Sequence, residues 1–162
     1  MSIRSFFFIV LVFVSPSFVY AEALITEIMY DVEGSDTGRE WIEVKNTGAL
    51  SIDFTTWKLF EANVSHRITA LGGTVLVPGA FAVITDDPVK FQPDNPGFGG
   101  VLFDSSFSLG NGGETISLRD EQGADVDVVP YFSEIGAAGD GNSLQRTGAG
   151  AWISASPTLG SD

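Results

Sequence analysis

"AEALITEIMYDVEGSDTGREWIEVKN", residues 21–46, holds two apolar runs that each carry a glutamate at the centre: Glu27 in Ile-Thr-Glu-Ile-Met and Glu43 in Trp-Ile-Glu-Val-Lys. Alternation with a period of two marks a strand with one buried and one solvated face. Leu24, Thr26, Ile28 and Tyr30 fall on one side of the first run. In the second, Ile42 and Val44 fall on one side, and Trp41, Glu43 and Lys45 on the other. The segment from Asp31 to Gly38 between them is rich in turn formers. Antiparallel pairing of the two runs sets Glu27 and Glu43 on the face opposite Ile28, Ile42 and Val44, turned to water, with Lys45 or Arg39 as cross-strand partners. A hydrolase built on the same pair would need the reverse: one carboxylate raised in pKa by burial, and a substrate cleft between the two.

The rest of the chain repeats the pattern. Short β-rich runs at 50–54, 57–62, 64–70, 74–77, 81–85, 101–103, 114–119, 126–132 and 143–146 are punctuated by Gly, Asn and Asp. Gly110-Asn-Gly-Gly113 supplies positive φ for a tight entry into the run where Ile116 and Leu118 point one way, and Asp120-Glu-Gln-Gly123 closes a hairpin into Val126–Val129. Pro130 has no amide hydrogen, which places that strand end at an edge or bulge. Asp87 followed by Pro88 reads as a cap and first turn, giving one short helix near 87–92. Trp57 and Trp152 are candidates for core or edge-sealing side chains. The expectation is a single all-β domain, 22–162, of about nine strands in two packed antiparallel sheets.

The first 21 residues read as a cleaved signal peptide. Arg4 gives the positive start, residues 6–14 a nine-residue apolar core, and Val19-Tyr20-Ala21 a cleavage site after Ala21. A membrane span would need about 20 apolar residues. Cleavage removes one Arg and no acid, leaving seven Lys+Arg against 21 Asp+Glu, a formal charge of −14. The expected location is secreted, extracellular or in the cell envelope, with membrane contact only through the transient signal. Such an acidic chain lacks the cations that hold phosphate backbones, so no nucleic acid is expected. Without cysteine there is no disulfide framework, and packing must stabilise the fold.

Several phrases in order carry a resemblance: "GREWIEVKN" (38–46), "PGAFAVIT" (78–85), "LGNGGETISLRDEQGADVDVVPY" (109–131), "GDGNSLQR" (139–146) and "GAWISASPTLG" (150–160). Together they resemble the lamin-tail domain, an immunoglobulin-like β-sandwich, in its exported bacterial form, over roughly 23–160. The resemblance implies a structural and interaction module with no cofactor. In nuclear lamins the domain is a partner-binding tail, and in bacteria it accompanies exported hydrolases or surface proteins. This chain shows no rod, companion enzyme domain or anchor, so the resemblance brings no partner with it.

Acid clusters occur at Asp31/Glu33/Asp36, Asp86/Asp87, Asp120/Glu121/Asp125/Asp127 and Asp140. None has the spacing of a helical calcium loop, and Asp also favours turns. Asp31, Glu33 and Asp36, on one long loop, are the best of them for Ca²⁺. The single His66 lacks the companions of a zinc site and reads as an exposed strand residue. Asn63-Val-Ser65 is a glycosylation sequon by letter. Phe91, Phe98, Phe103 and Phe107 read as core, or else as a binding patch. Three functions follow: an exported non-enzymatic module binding a protein or envelope component, a Ca²⁺-dependent adhesion or glycan-binding domain, and a hydrolase using Glu27 and Glu43.

Overall fold

Residues 23–161 are described in the computed structural model, so the apolar leader and the cleavage position after Ala21 lie outside them. The seven-stranded sheet contains β1 (Ala23–Met29), β2 (Trp41–Asn46), β6 (Thr69–Ala70), β8 (Phe81–Thr85), β9 (Val101–Asp104), β12 (Ser143–Arg146) and β13 (Trp152–Ala155). Their order is β13-β12-β1-β2-β8-β9-β6. The four-stranded sheet is built from β4 (Lys58–Glu61), β5 (Val64–Arg67), β10 (Gly113–Arg119) and β11 (Asp125–Phe132), in the order β11-β10-β4-β5. A third pair joins β3 (Ile52–Asp53) to β7 (Val75–Leu76). The α-helix α1 (Pro88–Asp94) starts from Asp87, whose carboxylate accepts from Val89 N at 2.9 Å.

The two larger sheets face each other across one apolar interior. Ile25, Ile28, Ile42, Val44 and Ile84 meet Leu59, Ile116, Leu118 and Val129, all 0–1% exposed. Burying an aliphatic side chain of this size contributes about 1.5–3 kcal/mol. Aromatic rings tie the layers: Tyr30 lies 5.0 Å from Tyr131, and Phe54 lies 4.7 Å from Trp57 and 5.4 Å from Phe103. Trp152 packs half-buried against this core. Phe91, Phe103 and Phe107 are buried and Phe98 half-buried, so these four are core and not a patch.

The sheets depart from simple antiparallel alternation in several places, among them a register shift between Leu118 and Arg119 in the β10–β11 pair. The β1–β2 register shifts between Ile25 and Glu27, a β-bulge. Ala23 and Ile25 point into the core before it, and Ile28 and Tyr30 after it. Leu24 and Thr26 therefore belong to the other face from Ile28, against the expected phase. The run 64–70 is cut at buried Ile68, so that β5 stays with β4 while β6 crosses to pair with β9. Lastly, β8 and β9 run parallel and not antiparallel, the intervening α1 and loop giving the crossover that parallel strands require.

Turn chemistry follows the sequence closely. Gly113 has φ 106° and leaves no room for a side chain, since a Cβ would sit 2.5 Å from the Tyr131 carbonyl. Asp120 Oδ1 accepts from Gln122 N and Ala124 N and so closes the β10–β11 hairpin. Pro130 lies on β11, an edge strand, as its missing amide demands.

A second apolar cluster covers the outer face of the seven-stranded sheet. Met29, Trp41, Val83 and Phe91 are buried there, with Phe98, Leu102 and Leu159 packed against them. Helix α1 and the segment 156–161 thus form a lid on that sheet. The outer face of the four-stranded sheet carries exposed Val128 and Phe132 instead.

Candidate functional site

Glu27 and Glu43 are register partners on neighbouring strands, and both are 1% exposed. The expectation of outward carboxylates facing water is corrected here. They do lie on the face opposite Ile28 and Ile42, but the segment 156–161 passes over them. Thr158 N donates to both oxygens of Glu27, at 3.1 and 3.2 Å, and Thr158 Oγ1 donates at 3.1 Å. Ser143 Oγ makes a short hydrogen bond to the same carboxylate. Glu43 accepts from Thr26 Oγ1 at 2.8 Å and from Gly160 N at 2.6 Å. Between those two amides Leu159 turns into the outer apolar cluster. The carboxylates act as the acceptors that a neighbouring strand would otherwise offer to an extended segment.

Of the expected cross-strand partners, Arg39 pairs instead with Asp94 at 2.6 Å. Lys45 Nζ lies 4.9 Å from the Phe81 ring centroid. Burial raises the Glu27 carboxyl above its ordinary value, against the lowering effect of Ser143 and Thr158. A raised carboxyl fits a general acid in isolation. Here its oxygens are already engaged by donors of the chain itself, Ser143 and Thr158, and a hollow of about 760 Å³ lined by Thr26, Lys45 and Gln145 lies beside the two glutamates.

A second buried carboxyl, Glu40, is 3% exposed and accepts from Leu109 N at 3.0 Å. Burial, with Asp86 and other acids nearby, raises it to about 8. Asp86 is raised to about 6, again chiefly by burial. Close to them Glu114 accepts from Gly110 N at 2.7 Å and from the Tyr131 hydroxyl at 3.0 Å. Glu40 and Glu114 order the turn that enters β10 by accepting from Leu109 N and Gly110 N. They were not singled out from the sequence, where only Asp86 was noted as part of an acidic pair.

Each calcium candidate lies beside other parts of the chain. Arg39 Nη1 donates to the carbonyls of Glu33 and Ser35, both at 3.1 Å, so the loop closes around a guanidinium. Asp36 accepts from Asn111 Nδ2 at 2.8 Å, and Asp31 lies beside Gly139. Among the described residues no group of three or more His, Cys, Asp or Glu is placed to hold a metal ion. His66 is not an exposed strand residue: it is half-buried, with Nε2 2.8 Å from Glu61 Oε1 but without the alignment of a hydrogen bond.

The outer face of the four-stranded sheet escaped the sequence reading. A shallow hollow of about 400 Å³ there is lined by Phe60, Thr115, Ser117, Arg119 and Val128. The Arg119 guanidinium stacks 3.4 Å over the Phe60 ring. Phe132 is 55% exposed and Val128 50%, both on the edge strand β11. The signal was the alternation of 125–132, whose second face carries Val128, Pro130 and Phe132 where a solvated face would carry polar groups.

A two-layered β-sandwich with its buried carboxylates committed to its own backbone defines a structural and interaction module of immunoglobulin-like kind. The family model described as Lamin Tail Domain matches residues 17–133, more than half of the chain. The protein belongs to the lamin tail domain family. The match ends before β12, β13 and the segment over Glu27 and Glu43, whereas the sequence phrases run on to residue 160. No curated protein and no solved structure matches the chain.

Proposed function

We propose that this is an exported, non-enzymatic module that docks an envelope or extracellular protein partner on the outer face of its four-stranded sheet. One observation carries the reading: the two sheets are finished differently. The seven-stranded sheet carries α1 and the segment 156–161 over part of its outer face, beside a hollow of about 760 Å³ lined by Leu24, Lys45 and Ile153, while among the described residues the four-stranded sheet has no such cover and leaves Val128 and Phe132 half-exposed beside Phe60 and Arg119. Aromatic, aliphatic and arginine side chains together are the composition of interface centres. The N-terminal signal pattern supports export. Lamin-tail membership supports interaction over catalysis.

The test is capture of partners from the cell envelope by the wild-type protein and by a Val128→Asp/Phe132→Asp variant. Both positions are already exposed, so the variant is expected to fold. A partner retained by the wild type and lost by the variant supports the reading. Equal capture by both proteins overturns it.

A further inference from the structure

Beyond residue 21 the chain has seven Lys+Arg, and four are tied into the structure away from the four-stranded sheet's outer face. Arg39 pairs with Asp94, Lys45 lies over Phe81, Lys90 donates to the Thr37 carbonyl and Arg146 pairs with Asp127. The other three stand in a row. Arg119 on β10 is the register partner of Lys58 on β4, and Lys58 is the partner of Arg67 on β5. Directly opposed residues share one face, and adjacent strands lie about 4.8 Å apart. It is the outer face, because Leu59, next to Lys58, is buried in the core.

Arg119 is partly neutralised by Asp125 at 2.7 Å and also donates to Ser65 Oγ at 3.2 Å. Lys58 and Arg67 are exposed, and among the described residues their side chains make neither a hydrogen bond nor an ion pair. Like charges set directly opposite each other weaken a sheet. A chain with 21 Asp+Glu has ample acids to neutralise them, yet it leaves two cations side by side. A local rule broken without internal compensation marks a position that works on something outside.

The edge beside this row is open. β5 is the last strand of its sheet, and among the described residues no backbone hydrogen bond reaches it from the far side. An extended segment laid along β5 would find main-chain donors and acceptors, with an acidic side chain falling opposite Arg67 and within reach of Lys58. A polypeptide satisfies both features, whereas an acidic glycan satisfies the charges alone. A second copy brings the same charge of −14 and is repelled at long range.

We infer that the Arg119–Lys58–Arg67 row, with the open edge of β5, seats an acidic polypeptide segment of the partner. This rests on the preceding reading that the outer face of the four-stranded sheet docks a protein. The probe is a fluorescein-labelled oligoglutamate, its binding followed by anisotropy at low ionic strength, with an oligogalacturonate run in parallel. The wild type should bind oligoglutamate in preference to the glycan. Affinity should fall more than tenfold in a Lys58→Glu/Arg67→Glu variant, and should fall as salt is added. No saturable binding by the wild type, equal binding by the charge-reversed variant, or preference for the oligogalacturonate overturns the inference. If envelope capture still depends on Val128 and Phe132 while oligoglutamate fails to bind, the docking face stands and only the acidic partner is lost.

Discussion

The carboxylate of Asp127 on β11 accepts the backbone N–H of Ile25 on β1 at 2.9 Å, across the interior from one sheet to the other. Ile25 stands at the bulge, where the shifted β1–β2 register disturbs the ladder. A carboxylate from the facing sheet meets its amide, and Arg146 Nη1 balances the charge at 2.6 Å. One acid thus ties β11 to β1 and β12.

Replacing that acid should be costly. Asp127→Ala leaves a buried amide without its acceptor and the half-buried Arg146 guanidinium with the Ile25 carbonyl at 3.3 Å, and loss of one partner of a buried pair costs about 3–5 kcal/mol. Urea unfolding should show a lower midpoint at an unchanged slope. A midpoint within error of the wild type would mean that the cross-sheet tie adds nothing.

Stability should fall as pH rises from 5 towards 9. Glu40 is raised to about 8 and Asp86 to about 6, so each favours its protonated form in the folded state. The stability they contribute is complete below the ordinary carboxyl values of 4.5 and 3.8 and is lost as pH passes the raised ones. For Glu40, 3% exposed, the change is on the order of 3 kcal/mol. Asp53 and Asp125, lowered by hydrogen bonds from Thr55 and Arg119, act in the opposite sense only in more acid solution. Glu40→Gln should level most of the slope when urea midpoints are compared across pH. A slope as steep in the variant would place its origin elsewhere.

Calcium should leave the melting temperature unmoved at millimolar concentration. The carbonyls of Glu33 and Ser35 already accept from Arg39, so the loop of Asp31, Glu33 and Asp36 offers an ion few free oxygens. A rise of several degrees in a thermal melt, abolished by Asp36→Asn, would restore the calcium-dependent reading.

Lys58→Glu should stabilise the free protein while weakening its hold on an acidic probe. The change converts a like-charge pair with Arg67 into an opposite-charge pair, worth about 0.2–1 kcal/mol. Thermal melts should rise by a few degrees at most. A lowered melt would show that Lys58 serves the fold.

Local features were legible in the sequence and long-range ones were not. The positive-φ turn glycines Gly113 and Gly123, the Asp87-Pro88 helix start and the inward pair Ile42/Val44 depend on near neighbours, and each stands in the structure as read. The phase of β1 did not, because the bulge after Ile25 is set by its partner strand and by Asp127, 102 positions away. Glu27 and Glu43 read as solvated because their cover arrives from Thr158, 131 positions beyond Glu27, and from Gly160. The cationic row was hidden for the same reason: Lys58, Arg67 and Arg119 become neighbours only when β10, β4 and β5 pair.

Photo-crosslinking in the intact cell bears most directly on the bare sheet as the working surface. A photoreactive phenylalanine analogue would be placed in turn at Val128, on the uncovered face, and at Leu71, equally exposed but beside the lidded sheet. Irradiation should yield an adduct with a single partner from position 128 and none from 71. An adduct from 71 with none from 128 would contradict the account.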